Sequence, residues 1–222
     1  MTASKWLSVV GVVLLWSGAA GAQDPAKVSP ATYKVILDNP TVRVFRVGGA
    51  PGNKVPAHSH PDHLAIALAP GKVQISTPDG KSQTLDMANE TASYVPAGTH
   101  ESSNAGTAPL DAIVVELKQP AGTAQVPPVR EGMSTKVLAE GPKAVVHRVT
   151  ADASFQEPAG TKHDYAQVVI ALDASGMSLS IDGKPAKTQW TRGDVSFIGR
   201  GVGHESKNAG GKPASFIIVT IR

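Results

Sequence analysis

The chain contains no cysteine. That excludes disulfides, thiolate nucleophiles and zinc sites built on sulfur, and it leaves the stability of the fold to core packing. Aromatic residues are sparse at 5%, and the charged residues are scattered without basic runs, summing to +3. The footprint of a nucleic-acid binder, clustered Lys and Arg interleaved with aromatic residues, is therefore missing. The weak charge points instead to a small or neutral ligand. Long apolar runs are scarce too. The best is Val9 to Trp16, which follows Lys5 and leads into the small residues Ala20-Gly21-Ala22. That is the layout of a secretory signal peptide over residues 1–22, and it is shorter than the roughly 20 apolar residues a membrane span needs. The expectation is an exported protein, periplasmic or secreted, with no membrane span after cleavage at Ala22; retention of the segment as an N-terminal anchor is the alternative. Cleavage removes Lys5 and no acidic residue, so the balance becomes +2.

What the chain does contain is an internal duplication. Residues 39–57, NPTVRVFRVGGAPGNKVPA, lie over residues 141–159, GPKAVVHRVTADASFQEPA, at a shift of 102, with Pro40 on Pro142, Arg46 on Arg148 and Pro56 on Pro158. Further on the shift is 104: Ile66-Ala67-Leu68 falls on Ile170-Ala171-Leu172, His100-Glu101-Ser102 on His204-Glu205-Ser206, and Asn104-Ala105-Gly106 on Asn208-Ala209-Gly210. The change of shift marks a two-residue insertion between Ala159 and Ile170. Each copy reads as short β runs, such as VRVFRV, LAIAL and DAIVVEL in the first, separated by Gly, Pro, Asn and Asp and including the turn pairs Asp79-Gly80 and Asp182-Gly183. No helical stripe follows the leader. The predicted class is all-β, with one small antiparallel barrel or sandwich over residues 29–118 and another over 131–222, the jelly roll being one form. The proline-rich stretch 119–130 reads as a linker between them.

The histidines concentrate where the copies differ. PAHSHPDH, residues 56–63, holds three of the seven histidines. On a strand, residues i and i+2 share a face, so His58 and His60 project together. If the strand runs on, they share that face with Leu64, Ile66 and Leu68, which would form the apolar wall of a substrate pocket. Paired imidazoles entering an apolar interior call for a partner, and a divalent transition metal (iron, copper, manganese, nickel or zinc) is the usual one. His100, after the turn at Pro96 to Gly98, can supply a third ligand from a distant strand. His63 has the opposite parity and reads as a rim residue or a further ligand. Glu101, next to His100, invites a general-base role. Its counterpart Glu205 stands in the copy that lost the histidine pair, so a structural role is favoured. In the second copy only His163 and His204 remain near the corresponding place, with Gly160-Thr161-Lys162 where the pair would start. His147 lies over Phe45 as a packed or edge residue.

These motifs resemble those of the cupin superfamily. Gly52 stands five residues before His58-Ser59-His60, Gly71 occupies the later glycine, and Pro96-Ala97-Gly98, His100 and Asn104 match the second motif. The resemblance implies a bicupin, two jelly-roll barrels in tandem, with one metal near the middle of the first on His58, His60 and His100. Leu64 stands where the family has a Glu ligand. Either the site is an open three-histidine one, or His63 or Asp62 completes it. The family implies an oxygenase, isomerase, decarboxylase or lyase acting on a small molecule, and oxygenase chemistry ranks first here. The alternative is a non-catalytic protein that sequesters a metal or binds a small ligand. The resemblance also implies pairing through barrel edges, as a homodimer or between the two barrels of one chain.

Overall fold

The structure is a computed structural model, and it describes residues 23–123, 130–174 and 176–222. The leader-like segment 1–22 and half of the predicted linker, residues 124–129, lie outside the described residues. Nearly all regular structure is β. In the first half the strands are β1 (Tyr33–Asp38), β2 (Val42–Gly49), β3 (Lys54–His60), β4 (His63–Ala67), β5 (Gly71–Ser76), β6 (Ser82–Met87), β7 (Thr91–Val95), β8 (Gly98–Asn104) and β9 (Leu110–Leu117). They form a five-stranded sheet in the order β1-β2-β9-β4-β7 and a four-stranded sheet in the order β3-β8-β5-β6. A single helical turn, α1 (Pro25–Val28), precedes them, with Asp24 accepting from the Ala26 amide at 2.8 Å as its cap.

The second half repeats the plan with β10 (Met133–Glu140), β11 (Ala144–Ala151), β12 (Ala166–Asp173), β13 (Met177–Ile181), β14 (Lys184–Lys187), β15 (Val195–Ile198), β16 (His204–Asn208) and β17 (Ala214–Ile221). Its five-stranded sheet, β10-β11-β17-β12-β15, matches the first strand for strand. Even the register irregularity between Val35 and Leu37 recurs between Val137 and Ala139. At the hairpin between β13 and β14, Asp182 (φ 49°) and Gly183 (φ 72°) both take left-handed backbone, as a primed two-residue turn requires. The protein is all-β, built as two jelly-roll barrels in tandem. Among the described residues no helix is long and apolar enough to cross a membrane.

The second small sheet, β14-β13-β16, has three strands, because the counterpart of β3 is missing. Only the isolated bridges Gln156 to Lys207 and Thr161 to His204 survive there. The two-residue insertion between Ala159 and Ile170 falls in this stretch, so the copy that lacks the histidine pair also lacks the continuous strand that carries it in the first barrel.

The two barrels pack against each other within the chain, five-stranded sheet to five-stranded sheet. One continuous core contains Val44, Leu64 and Ile113 from the first barrel with Val146, Ile170 and Ile217 from the second. A polar rim borders it: Lys143 pairs with Asp62 at 2.9 Å, and Glu90 receives Arg148 at 2.8 Å and Arg192 at 3.0 Å. Successive strand residues face opposite ways, so β9 sends Ile113, Val115 and Leu117 into this core and Ala112, Val114 and Glu116 into the first barrel.

One sequence expectation is corrected here. Leu64, Ile66 and Leu68, read as the wall of a substrate pocket, lie in the core between the barrels, on the opposite side of the sheet from the histidines. The reason is Pro61-Asp62. The chain leaves the four-stranded sheet at His60 and enters the five-stranded one at His63, and the alternation restarts in the turn. His63, not Leu64, therefore faces inward, directly opposite Glu116 on β9.

Candidate metal centre

Strands β3 and β8 pair so that His58 stands opposite His100, with His60 two residues further along the same face. A bulge between Val55 and His58, at Pro56, turns the histidine pair inward; proline tolerates such a place because a bulged residue need not donate to the ladder. The ligating nitrogens of His58, His60 and His100 lie within 4.8 Å of one another. The His58 and His100 rings are 4.5 Å apart between centroids, and His60 and His63 are 4.6 Å apart. Four imidazoles therefore share one end of the barrel interior, three of them converging on a point.

Hydrogen bonds fix the tautomers of two of the four rings. A backbone carbonyl only accepts, so His58 Nδ1 donates to Pro56 O at 2.8 Å and His63 Nδ1 donates to Pro61 O at 2.9 Å. Each Nε2 is then a bare lone pair. Among the described residues His58 Nε2 is buried and meets no partner, the signature of a ligand atom. Burial is the main reason that all four rings resist protonation. The pKa of His60 and of His63 is lowered to about 4, and that of His100, which also faces the other three histidines, to about 3; His58 moves in the same direction. Neutral imidazoles with free lone pairs fit a transition metal.

Sequence reasoning missed two residues of this site. Glu116, 5% exposed, accepts from His60 Nδ1 at 2.8 Å through Oε1. Burial pushes its carboxyl up to about 7, against the pull of Arg43. The signal was present in DAIVVEL: Glu116 falls on the inward parity of Ala112 and Val114. Tyr33 packs against His58 at 5.4 Å and His60 at 5.7 Å, and has its phenol pushed up to about 12 by burial. Of the other candidates, Glu101 is exposed on the outer face of β8, and Asp62 is committed to Lys143 and to the Ala97 amide.

The second barrel brings together a different trio, Glu157, His163 and His204, also within 4.8 Å. Glu157 occupies the place of Val55 in the repeat. Arg130 intrudes on the cluster: its Nη1 pairs with Glu157 Oε1, and its Nη2 donates to His163 Nε2 at 2.7 Å. His147 is buried and lines the cavity of this barrel.

No family model and no curated protein matches the chain. Solved structures do. AerE from Microcystis aeruginosa is 13% identical, with TM-score 0.63 over 86% of this chain and 97% of that one. A cupin 2 conserved barrel domain protein from Leptotrichia buccalis is 16% identical, with TM-score 0.57 over 86% and 88%. Salicylate 1,2-dioxygenase from Pseudaminobacter salicylatoxidans is 10% identical, with TM-score 0.60 over 82% and 71%. At such identities the likeness speaks to fold, and with the repeated topology and the histidine motifs it leads to one conclusion: this chain has the cupin fold, two barrels in one polypeptide.

Proposed function

We propose that the first barrel holds one divalent transition metal on His58, His60 and His100, and that the protein is a mononuclear metalloenzyme acting on a small organic substrate. The observation that carries this reading is the convergence of three neutral imidazoles on one point, with His58 Nε2 unpartnered, beside a carboxyl group whose pKa is pushed up to about 7. A bound ion of this kind supplies a Lewis acid with open coordination positions and, if it is redox-active, electrons for oxygen chemistry.

The chain's own residues supply the rest. Glu116 Oε1 fixes the ring of His60 through Nδ1, and its carboxyl gains or loses a proton near neutral pH, the range a general acid–base needs. Tyr33, Phe45 and Val55 close the interior against water. Tyr33 keeps its hydroxyl proton throughout the physiological range and can donate it in a hydrogen bond. Non-catalytic sequestration would account for the histidines and for the hydrogen bond between Glu116 and His60, but it has no use for a carboxyl that titrates near neutral pH. Oxygenase chemistry is the class we place first, supported by the fold shared with salicylate 1,2-dioxygenase. The leader-like residues 1–22 support export to the periplasm or beyond.

The test is turnover. Chain reconstituted with iron(II), copper, manganese, nickel or zinc is assayed for oxygen uptake and substrate loss against diketones, thiols, phenols and hydroxy acids. Conversion of at least one class, with kcat falling in Glu116→Gln, supports the proposal. A fully metallated protein that converts none overturns the enzymatic reading in favour of binding.

A further inference from the structure

The second barrel contains a partly open cavity of about 90 Å³. A single water takes roughly 10–15 Å³ on that measure, so the space suits a ring-sized molecule. Its walls are mainly apolar, with Met177, Leu179, Trp190, Phe216 and Ile218 among them. Three observations limit what it can hold.

The first concerns metal. Glu157, His163 and His204 have the spacing of a ligand set, but the guanidinium of Arg130 already occupies two of the three. A guanidinium only donates, so His163 Nε2 spends its lone pair on Arg130, and Glu157 Oε1 is ion-paired to the same group. The other carboxylate oxygen accepts from Ser206 at 2.8 Å. Arg130 stands where a cation would, which leaves no room for a second positive charge.

The second concerns charge. Arg130 and Glu157 cancel, and desolvation holds His147, His163 and His204 toward their neutral forms. An anionic ligand would meet a guanidinium that is already neutralised and a buried carboxylate beside it, so an uncharged ligand is favoured.

The third concerns hydrogen bonding. Trp190 and Thr220 line the cavity at 6% and 1% exposure, and among the described residues the buried Trp190 Nε1 and Thr220 Oγ1 have no hydrogen-bond partner. Buried polar groups are ordinarily satisfied. The indole N–H can only donate, so what satisfies it must present an acceptor.

From these we propose that the second barrel is a metal-free binding site for an uncharged, ring-sized organic molecule carrying an acceptor oxygen, such as a cyclic ketone, with Trp190 Nε1–H as the donor that recognises it. This site is independent of the reading of the first barrel. It gives the divergence of the repeats a purpose: one barrel kept the imidazoles, and the other exchanged them for an internally neutralised pocket.

The test is calorimetric titration of the full-length chain with three probes of one ring size: cyclohexanone, methylcyclohexane and cyclohexanecarboxylate. The expected result is saturable binding of cyclohexanone, with the hydrocarbon and the carboxylate each roughly tenfold weaker or more. Trp190→Phe keeps the ring and removes the donor, and it should bring cyclohexanone down to the level of methylcyclohexane while leaving the latter unchanged. If that variant fails to fold, the ratio of ketone to hydrocarbon on the wild type still decides. Equal affinity for ketone and hydrocarbon, preference for the carboxylate, or no saturable binding of any probe overturns the proposal. So does a second equivalent of Zn²⁺ per chain that survives His58→Ala/His60→Ala and is lost in Glu157→Gln.

Discussion

Glu116 offers the sharpest test of how the first barrel prepares its histidines. Its Oε1 accepts from His60 Nδ1 at 2.8 Å, and both side chains are buried. Glu116→Ala leaves that N–H without a partner, a loss of about 1–3 kcal/mol for a buried group, and lets the ring turn away from the point where its Nε2 is needed. Removing the partner of a ligating histidine typically costs about 10–100-fold in metal affinity. Glu116→Gln is gentler, because the amide oxygen still accepts the hydrogen bond and only the charge is lost; about tenfold is expected at pH 8. Since the carboxyl titrates near 7, the wild type carries a largely neutral Glu116 at pH 6. There the gap between wild type and Gln should close to about twofold or less. Competition against a chromogenic chelator at the two pH values reads both quantities, with circular dichroism confirming the fold. A natively folded Glu116→Ala variant with wild-type affinity at pH 8, or a Gln-to-wild-type ratio that ignores pH, would refute the reasoning.

Other predictions follow from the packing and the titrations. Leu64→Ala, in the fully buried core between the barrels, should destabilise the protein by about 2–5 kcal/mol in urea unfolding without altering metal content; loss of metal at unchanged stability would return Leu64 to the site. In the metal-free protein the folded histidines stay neutral down to about 4 (His60, His63) and about 3 (His100), while unfolded histidines protonate near the ordinary 6.5. Their stabilisation is therefore present above about pH 6.5 and lost as pH falls toward 4. Glu116, raised to about 7, acts oppositely as a single group: its contribution is present below its ordinary 4.5 and lost as pH rises through 7. The urea midpoint should thus fall between pH 6.5 and 5, and a flat or rising midpoint contradicts the burial of neutral imidazoles. Asn104 ties Gly49 O, Ala108 O and the Gly106 amide together, each at 2.9 Å. Asn208 repeats the device on Asp152, Lys212 and Gly210. Alanine at either position should cost about 2–3 kcal/mol by removing the hydrogen bonds that a buried amide makes to hold the turn, and a change below 0.5 kcal/mol would show that water replaces the amide.

The sequence revealed the duplication, the strands and the three histidines because each is a local pattern: a shift between copies, an alternation of two, a pair of residues on one face. What it concealed depends on where the chain changes sheets. Extrapolating the parity of His58 and His60 through Pro61-Asp62 put Leu64 on the wrong side, since a turn between two sheets resets the alternation without leaving a mark in composition. Glu116 was hidden for the opposite reason. Its inward parity was readable within DAIVVEL, but its partner His60 is 56 residues away, and only the pairing of β4 with β9 brings them together. Asn104 and Asn208 were visible as matching positions of the repeat; their burial, and the turns and neighbouring chain segments they hold, belong to tertiary structure. Arg130 went unremarked because it ends a segment that reads as linker.

Metal content per chain, measured by elemental mass spectrometry on the wild type and on His58→Ala/His60→Ala after reconstitution, tests the central claim most directly. The account predicts close to one transition metal per chain in the wild type and none in a folded variant. Absence of metal from the wild type, or its retention in the variant, would contradict it.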